Sequence, residues 1–169
     1  MGRDKASLPF GGMPGGTLSG AVARAVEAAA GNAILVGNAE LGGIPDLYPG
    51  EGPLGGILTA LNHTSAEWNL IVACDMPELT SAFLCDLLNH AEEAGCDVLL
   101  PCGPGGKPEP LCAVYRQAVR DIVGRRFAEG VRKVTAALGG LVVVRLDVAE
   151  ALSFQNVNTP EDWAVYAAD

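Results

Sequence analysis

Four places in this 169-residue chain carry side chains whose type and spacing suit phosphate and nucleobase chemistry. Asp75 directly follows the apolar run Leu70-Ile71-Val72-Ala73-Cys74 and precedes Met76-Pro77, which leaves a carboxylate where a strand would end. A lone carboxylate repels a triphosphate. With Mg²⁺ between them it becomes a ligand, because a hard cation takes oxygen donors and bridges to phosphate oxygens. An Asp in that position also suits a simple turn before a helix. The second place is 45–56, PDLYPGEGPLGG, with four glycines and three prolines in twelve residues. Such a backbone is stiff yet closely approachable. Gly56, near a helix start, can present N–H groups to a base or a phosphate, and Asp46 can accept from the N1–H and 2-amino groups of a guanine. A surface loop with a solvated Asp is the other reading, although loops longer than about twelve residues tend to be functional or disordered.

The third place is 156–160, Asn156-Val157-Asn158-Thr159-Pro160, whose two Asn side chains share one face if the segment is extended. They suit a metal-coordinated phosphate, the anchoring of a neighbouring loop, or helix capping. The fourth is Lys5, in Met1-Gly2-Arg3-Asp4-Lys5 ahead of Phe10-Gly11-Gly12 and Pro14. This run resembles the second half of a phosphate-binding loop, and a mobile ammonium there suits the β- and γ-phosphates and a departing pyrophosphate.

The elements that must position these groups alternate between helix and strand. An Ala-rich helix is predicted over 18–30, with Val22, Ala25, Val26 and Ala29 on one face and Gly31 as its stop. Short apolar runs at 33–37 and 70–74 read as strands covered on both faces. Between them lie the loop 38–53 and a short helix over 54–62. Thr80 or Ser81 caps a helix that runs through Glu93 to Gly95. Strands are predicted at 98–100, 111–115 and 141–146, helices at 117–127 and 131–138, and a terminal helix opening at Thr159-Pro160. Buried strands alternating with helices imply one α/β domain over 1–169, with a mostly parallel sheet and helices on both faces. In such a sheet, ligands gather beyond the carboxyl ends of the strands.

Composition narrows the function further. Lys and Arg total 11 against 20 Asp and Glu, for a net charge of −9. A nucleic-acid backbone or an anionic membrane as principal partner would call for a basic face. No apolar run approaches the roughly 20 residues of a membrane helix. The first residues show no signal-peptide pattern, so a cytoplasmic protein is expected. The five cysteines, at 74, 85, 96, 102 and 112, are never spaced C-x-x-C, and there are only two histidines. Buried thiols rather than a zinc site follow from that.

Read together, MGRDKASLPFGG-M-P, LVGN, PDLYPGEGPLGGI, VACDMP, GGKPEPLCAVY and NVNTPEDW resemble, in order and over nearly the whole chain, the molybdenum cofactor guanylyltransferase (MobA) family. The resemblance implies a Rossmann-like nucleotidyltransferase fold and transfer of GMP from GTP to molybdopterin or its molybdenum-loaded form, with release of pyrophosphate. It assigns Lys5 to the triphosphate, Asn38 to a guanine-nucleotide contact, and Asp46 to guanine selection. It assigns Gly52 and Gly56 to the nucleotide loop, Asp75 to Mg²⁺, and Asn156 and Asn158 to the pterin and phosphate region. The GPLGG form of the loop favours the guanylyl over the cytidylyl branch. In-line attack by an already anionic phosphate needs no general base, and His63 and His90 fall in helical segments, so no His or Cys is expected near the site. Molybdenum-cofactor insertion proteins or apo-molybdoenzymes are the protein partners implied.

The family pattern also places an apolar strand and the run L-A-G-G-x-S-x-R just before the Met-Gly of this signature. Here Met1-Gly2 come first. A start codon assigned too late is the expectation, against a truncated chain or a decayed paralogue. A nucleotidyltransferase for another base or acceptor and a non-catalytic molybdopterin-binding protein are the other functional readings.

Overall fold

The computed structural model describes residues 16–37, 39 and 42–148. Lys5, Asn38, Asn156 and Asn158, and the expected terminal helix, lie outside the described residues. Helix α1 spans Leu18–Ala30 as predicted, its Thr17 side chain accepting from the Gly20 N–H at 3.1 Å. Helix α2 spans Pro53–Asn62, with Pro53 in the first turn, where a missing N–H costs nothing. Strand β1 (Trp68–Val72) leads to helix α3 (Ser81–Ala94), capped by Thr80 and closed by Gly95. Strand β2 (Val98–Gly103) turns into the short β3 (Lys107–Pro108), and β4 (Cys112–Arg116) follows. The expected helix at 117–127 splits into a 3₁₀ turn, Gln117–Val119, and helix α4, Arg120–Ala128. Helix α5 is one turn, Val134–Ala137, and β5 spans Val143–Asp147.

The strands form one sheet in the order β1-β4-β2, with β3 and β5 both pairing with β2. Strands β1, β2 and β5 point the same way, as a doubly covered α/β sheet requires. Strand β4 runs against them between β1 and β2, and β3 forms a hairpin arm on β2. The described sheet is therefore mixed where a mostly parallel one was expected. The chain between β2 and β4 is too short for a parallel crossover, which takes a dozen residues or more, so β4 returns antiparallel.

Alternation along the strands divides the core into two layers. Leu54, Ile57, Leu58 and Leu61 of α2 pack with Val98, Leu100, Ala113, Tyr115 and residues of α4 and α5. On the opposite face Leu84, Leu87 and Ala91 of α3 pack with Leu99, Cys112 and Val114, joined by Ala25, Val26 and Ala29 of α1. Helices thus cover both faces.

The expected strand at 33–37 is reduced to one parallel bridge, Val36 with Ile44. An apolar run becomes a strand only where a ladder partner lies alongside, and Ile44 is its one partner among the described residues. Its bonds are Gly37 N–H to Ile44 O and Ile44 N–H to Leu35 O, each 2.8 Å.

Candidate active site

A cavity of about 600 Å³ opens along β1. Consecutive residues of β1 and of 33–36 both line it. Neighbouring residues of an extended segment face opposite ways, so the cavity runs along the strand edges rather than on one face. Among the described residues β1 pairs only with β4. Val22 and Val26 of α1 close one side, and Gly56 and Ile57 of α2 the other.

Asp75 stands at the carboxyl end of this cavity, just past β1. Buried Met76 and Leu79, which pack with α3, anchor the turn that follows it. The Asp75 side chain is half-buried and makes no hydrogen bond or ion pair with another described residue. Gly56 shares the cavity, and a Cβ built on it would meet nothing within 4 Å. A half-buried carboxylate without a partner among the described residues, on a wall with open space, suits a hard divalent cation shared with phosphate oxygens. Among the described residues no group of three His, Cys, Asp or Glu side chains gathers to hold a metal by itself.

Asp46 and Gly52 sit outside that lining, on the loop that leads into α2. Asp46 Oδ1 accepts from the Tyr48 N–H at 2.9 Å and from the Thr59 hydroxyl at 2.8 Å. Gly52 caps α2 with φ +78°, a conformation that side chains rarely adopt, and no side chain caps the helix there. The positive end of the α2 dipole therefore faces the loop without an acidic residue in its first turn.

The loop is held from its far side. Arg132 Nε donates to Glu51 Oε2 at 2.6 Å, and its guanidinium lies 4.0 Å from the centre of the Phe127 ring. Phe127 in turn meets Tyr48, ring centres 4.8 Å apart. Beneath Tyr48 lies Gly55, where an added Cβ would sit 3.0 Å from the Tyr48 Cβ and 3.1 Å from its carbonyl oxygen. Of the loop's glycines, Gly55 is the one whose missing side chain lets loop and helix touch.

Of the residues singled out from sequence, Asp75 and Gly56 come together on one cavity, and Asp46 and Gly52 flank it along α2. The expectation that no Cys lies near the site is corrected: Cys74 lines the same cavity, because the strand ends at Val72 and leaves Cys74 in the turn beside Asp75. Three other cysteines are core residues. Burial pushes the Cys112 thiol up to about 12 and raises Cys96 as well, so neither is an activated nucleophile. Thr59 and Gly55 were not singled out. The signal for Thr59 was present, a lone hydroxyl in the apolar helix PLGGILTALN.

A three-layer sheet with a carboxylate at a strand's carboxyl end and a glycine-rich loop feeding a helix defines a nucleotidyltransferase-like fold. Its match to molybdopterin-guanine dinucleotide biosynthesis protein A from Archaeoglobus fulgidus has a TM-score of 0.78 at 29% identity, covering 98% of this chain and 89% of that one. Residues 1–142 match the MobA-like NTP transferase domain, and the chain belongs to that family. A probable molybdenum cofactor guanylyltransferase of Methanothermobacter thermautotrophicus is 38% identical over 126 residues, 70% of this chain and 63% of that protein. The chain thus spans less than two thirds of that relative. A molybdenum cofactor guanylyltransferase of Xanthomonas euvesicatoria is 34% identical over 173 residues, covering 97% of this chain and 86% of the relative.

Proposed function

We propose that this protein is a guanylyltransferase that moves GMP from GTP to molybdopterin, with or without its metal, and releases pyrophosphate. One observation carries the proposal: the Asp75 carboxylate, with no hydrogen-bond or ion-pair partner among the described residues, lines the same cavity as Gly56 at the carboxyl end of β1. Both full-name relatives and the Archaeoglobus structure support the choice of nucleotide and acceptor.

Asp75 would hold Mg²⁺ jointly with triphosphate oxygens, and the bound ion would neutralise charge on the phosphates. Asp46 accepts from the guanine edge, while Gly52 and Gly56 let the nucleotide approach the start of α2. Lys5 steadies the β- and γ-phosphates, Asn38 contacts the nucleotide, and Asn156 and Asn158 serve the pterin end. The acceptor's terminal phosphate attacks the α-phosphorus in line, the new P–O bond forms, and the bond to pyrophosphate breaks. The nucleophile is already anionic, so the protein's part is positioning and charge neutralisation. Among the described residues no helix is long and apolar enough to cross a membrane; action in the cytoplasm, handing product to cofactor-insertion proteins or apo-molybdoenzymes, completes the proposal.

The test is incubation with molybdopterin and GTP, CTP or ATP, with guanine dinucleotide and pyrophosphate measured together. Product with GTP alone is expected. Product with CTP instead makes this a transferase for another base, and pterin binding without pyrophosphate release makes it a carrier.

A further inference from the structure

We propose that Thr59 is the positioning residue that aims Asp46 at the base, an inference that rests on Asp46 being the guanine contact. Thr59 is fully buried in α2, one of three buried polar residues among those described. Its hydroxyl has two partners of fixed sense. The Leu47 N–H reaches Thr59 Oγ1 at 3.0 Å and can only donate. The single hydroxyl proton therefore goes to Asp46 Oδ1, at 2.8 Å. The Tyr48 N–H also donates to that oxygen, at 2.9 Å.

The two residues that follow Asp46 are thereby tied to the arrangement. Leu47 is fixed on Thr59, and Tyr48 on Asp46 itself. Two donors engage Oδ1, while Oδ2 has no hydrogen-bond partner among the described residues. A carboxylate held by one oxygen presents the other in a fixed direction, as an acceptor for external N–H donors. The proton direction at Thr59 also requires an acceptor at Oδ1, a role that oxygen fills for the Tyr48 N–H as well. Base recognition is thus set from the second turn of α2, a buried position outside the base contact itself.

The variants are Thr59→Val, which keeps the shape and removes the hydroxyl, Thr59→Ser, which keeps the hydroxyl, and Asp46→Asn. Equilibrium binding of GTP and ATP to each is compared with the parent chain. Thr59→Val is expected to weaken GTP binding about tenfold, the scale of a lost hydrogen bond to a charged group, with ATP binding unchanged. Thr59→Ser is expected to stay within about twofold of the parent. A merely structural role would lower both nucleotides together. Asp46→Asn leaving GTP binding unchanged overturns the guanine assignment. Asp46→Asn losing GTP binding while Thr59→Val keeps it overturns the positioning role alone.

A nucleotide-free measurement keeps the positioning claim separable. Three-bond couplings across the Asp46 Cα–Cβ bond are expected to report one rotamer in the parent and in Thr59→Ser, and averaged rotamers in Thr59→Val. A single unchanged rotamer in Thr59→Val contradicts the proposal. If Thr59→Val does not fold, Thr59→Ala carries the same comparison.

Discussion

The two sides of this sheet are built differently. Every residue of β2 is buried, as are Cys112 to Tyr115 of β4, and both strands are covered by helices above and below. In β1 only Asn69 is buried, and the cavity runs along the strand to Asp75. The fully packed side supplies stability. The half-packed side leaves the apolar residues of β1 partly exposed along the cavity and the Asp75 carboxylate half-buried at its end, which dense packing would forbid. The proposed function thus draws on incomplete burial at one strand and its exit.

Breaking the packed side has the largest expected effect on stability. Tyr115 is fully buried, and its hydroxyl donates to the Pro110 carbonyl at 2.7 Å. Tyr115→Ala is expected to cost about 3–5 kcal/mol in chemical denaturation, by cavity formation and loss of that bond. A cost under about 1 kcal/mol would mean that the β2–β4 side is not where stability lies. Gly55→Ala tests the boundary between the two sides, because its Cβ would press on Tyr48. A loss of about 1–3 kcal/mol is expected, with the loop displaced. The neighbouring Gly56→Ala, with open space over its Cα, should cost far less, and equal costs would contradict the loop–helix contact.

The last effect is confined to the alkaline limb of stability and is absent at neutral pH. Burial holds Cys112 at about 12 in the folded protein against an ordinary 9.0, and burial also raises Tyr115. Between those values the unfolded chain has released the thiol proton while the folded chain retains it. This contribution is intact below about pH 9 and is lost as pH climbs towards 12, at about 1.4 kcal/mol per pH unit for one group. Cys112→Ala should flatten the limb by that amount, measured as denaturation midpoints across pH 8–11. An unchanged slope would mean that the thiol is not buried in the folded state.

Much of this division was legible in the sequence. Helix α1 and the Thr80 and Gly95 ends of α3 were readable because caps and stop glycines act locally. Asp75 was readable because an apolar run stops at a polar residue before proline. The reversal of β4 was not, since strand direction depends on the length and turn chemistry of the chain from 104 to 111 rather than on periodicity. Nor was the loss of the 33–37 strand, because its apolar run says nothing of which neighbour is present to pair with it. In the site, Asp46 was readable by type, but its support was not. Thr59 lies 13 residues along the chain, and only the folded loop brings the two together. Gly55 differs from Gly56 only in what stands over its Cα, a property of tertiary contact.

The central claim is that the exit of β1 carries function and little stability, and Asp75→Asn tests it most directly. Two quantities are measured on the same preparation: the thermal midpoint, and pyrophosphate release with GTP, Mg²⁺ and molybdopterin. Asp75 has no partner among the described residues to lose, so the midpoint should move by no more than the shift produced by about 0.5 kcal/mol. Pyrophosphate release should fall by about 10²–10³-fold, the scale of a removed charge-stabilising group. Release at the parent rate, or a collapse of the midpoint matching that of Tyr115→Ala, would contradict the account.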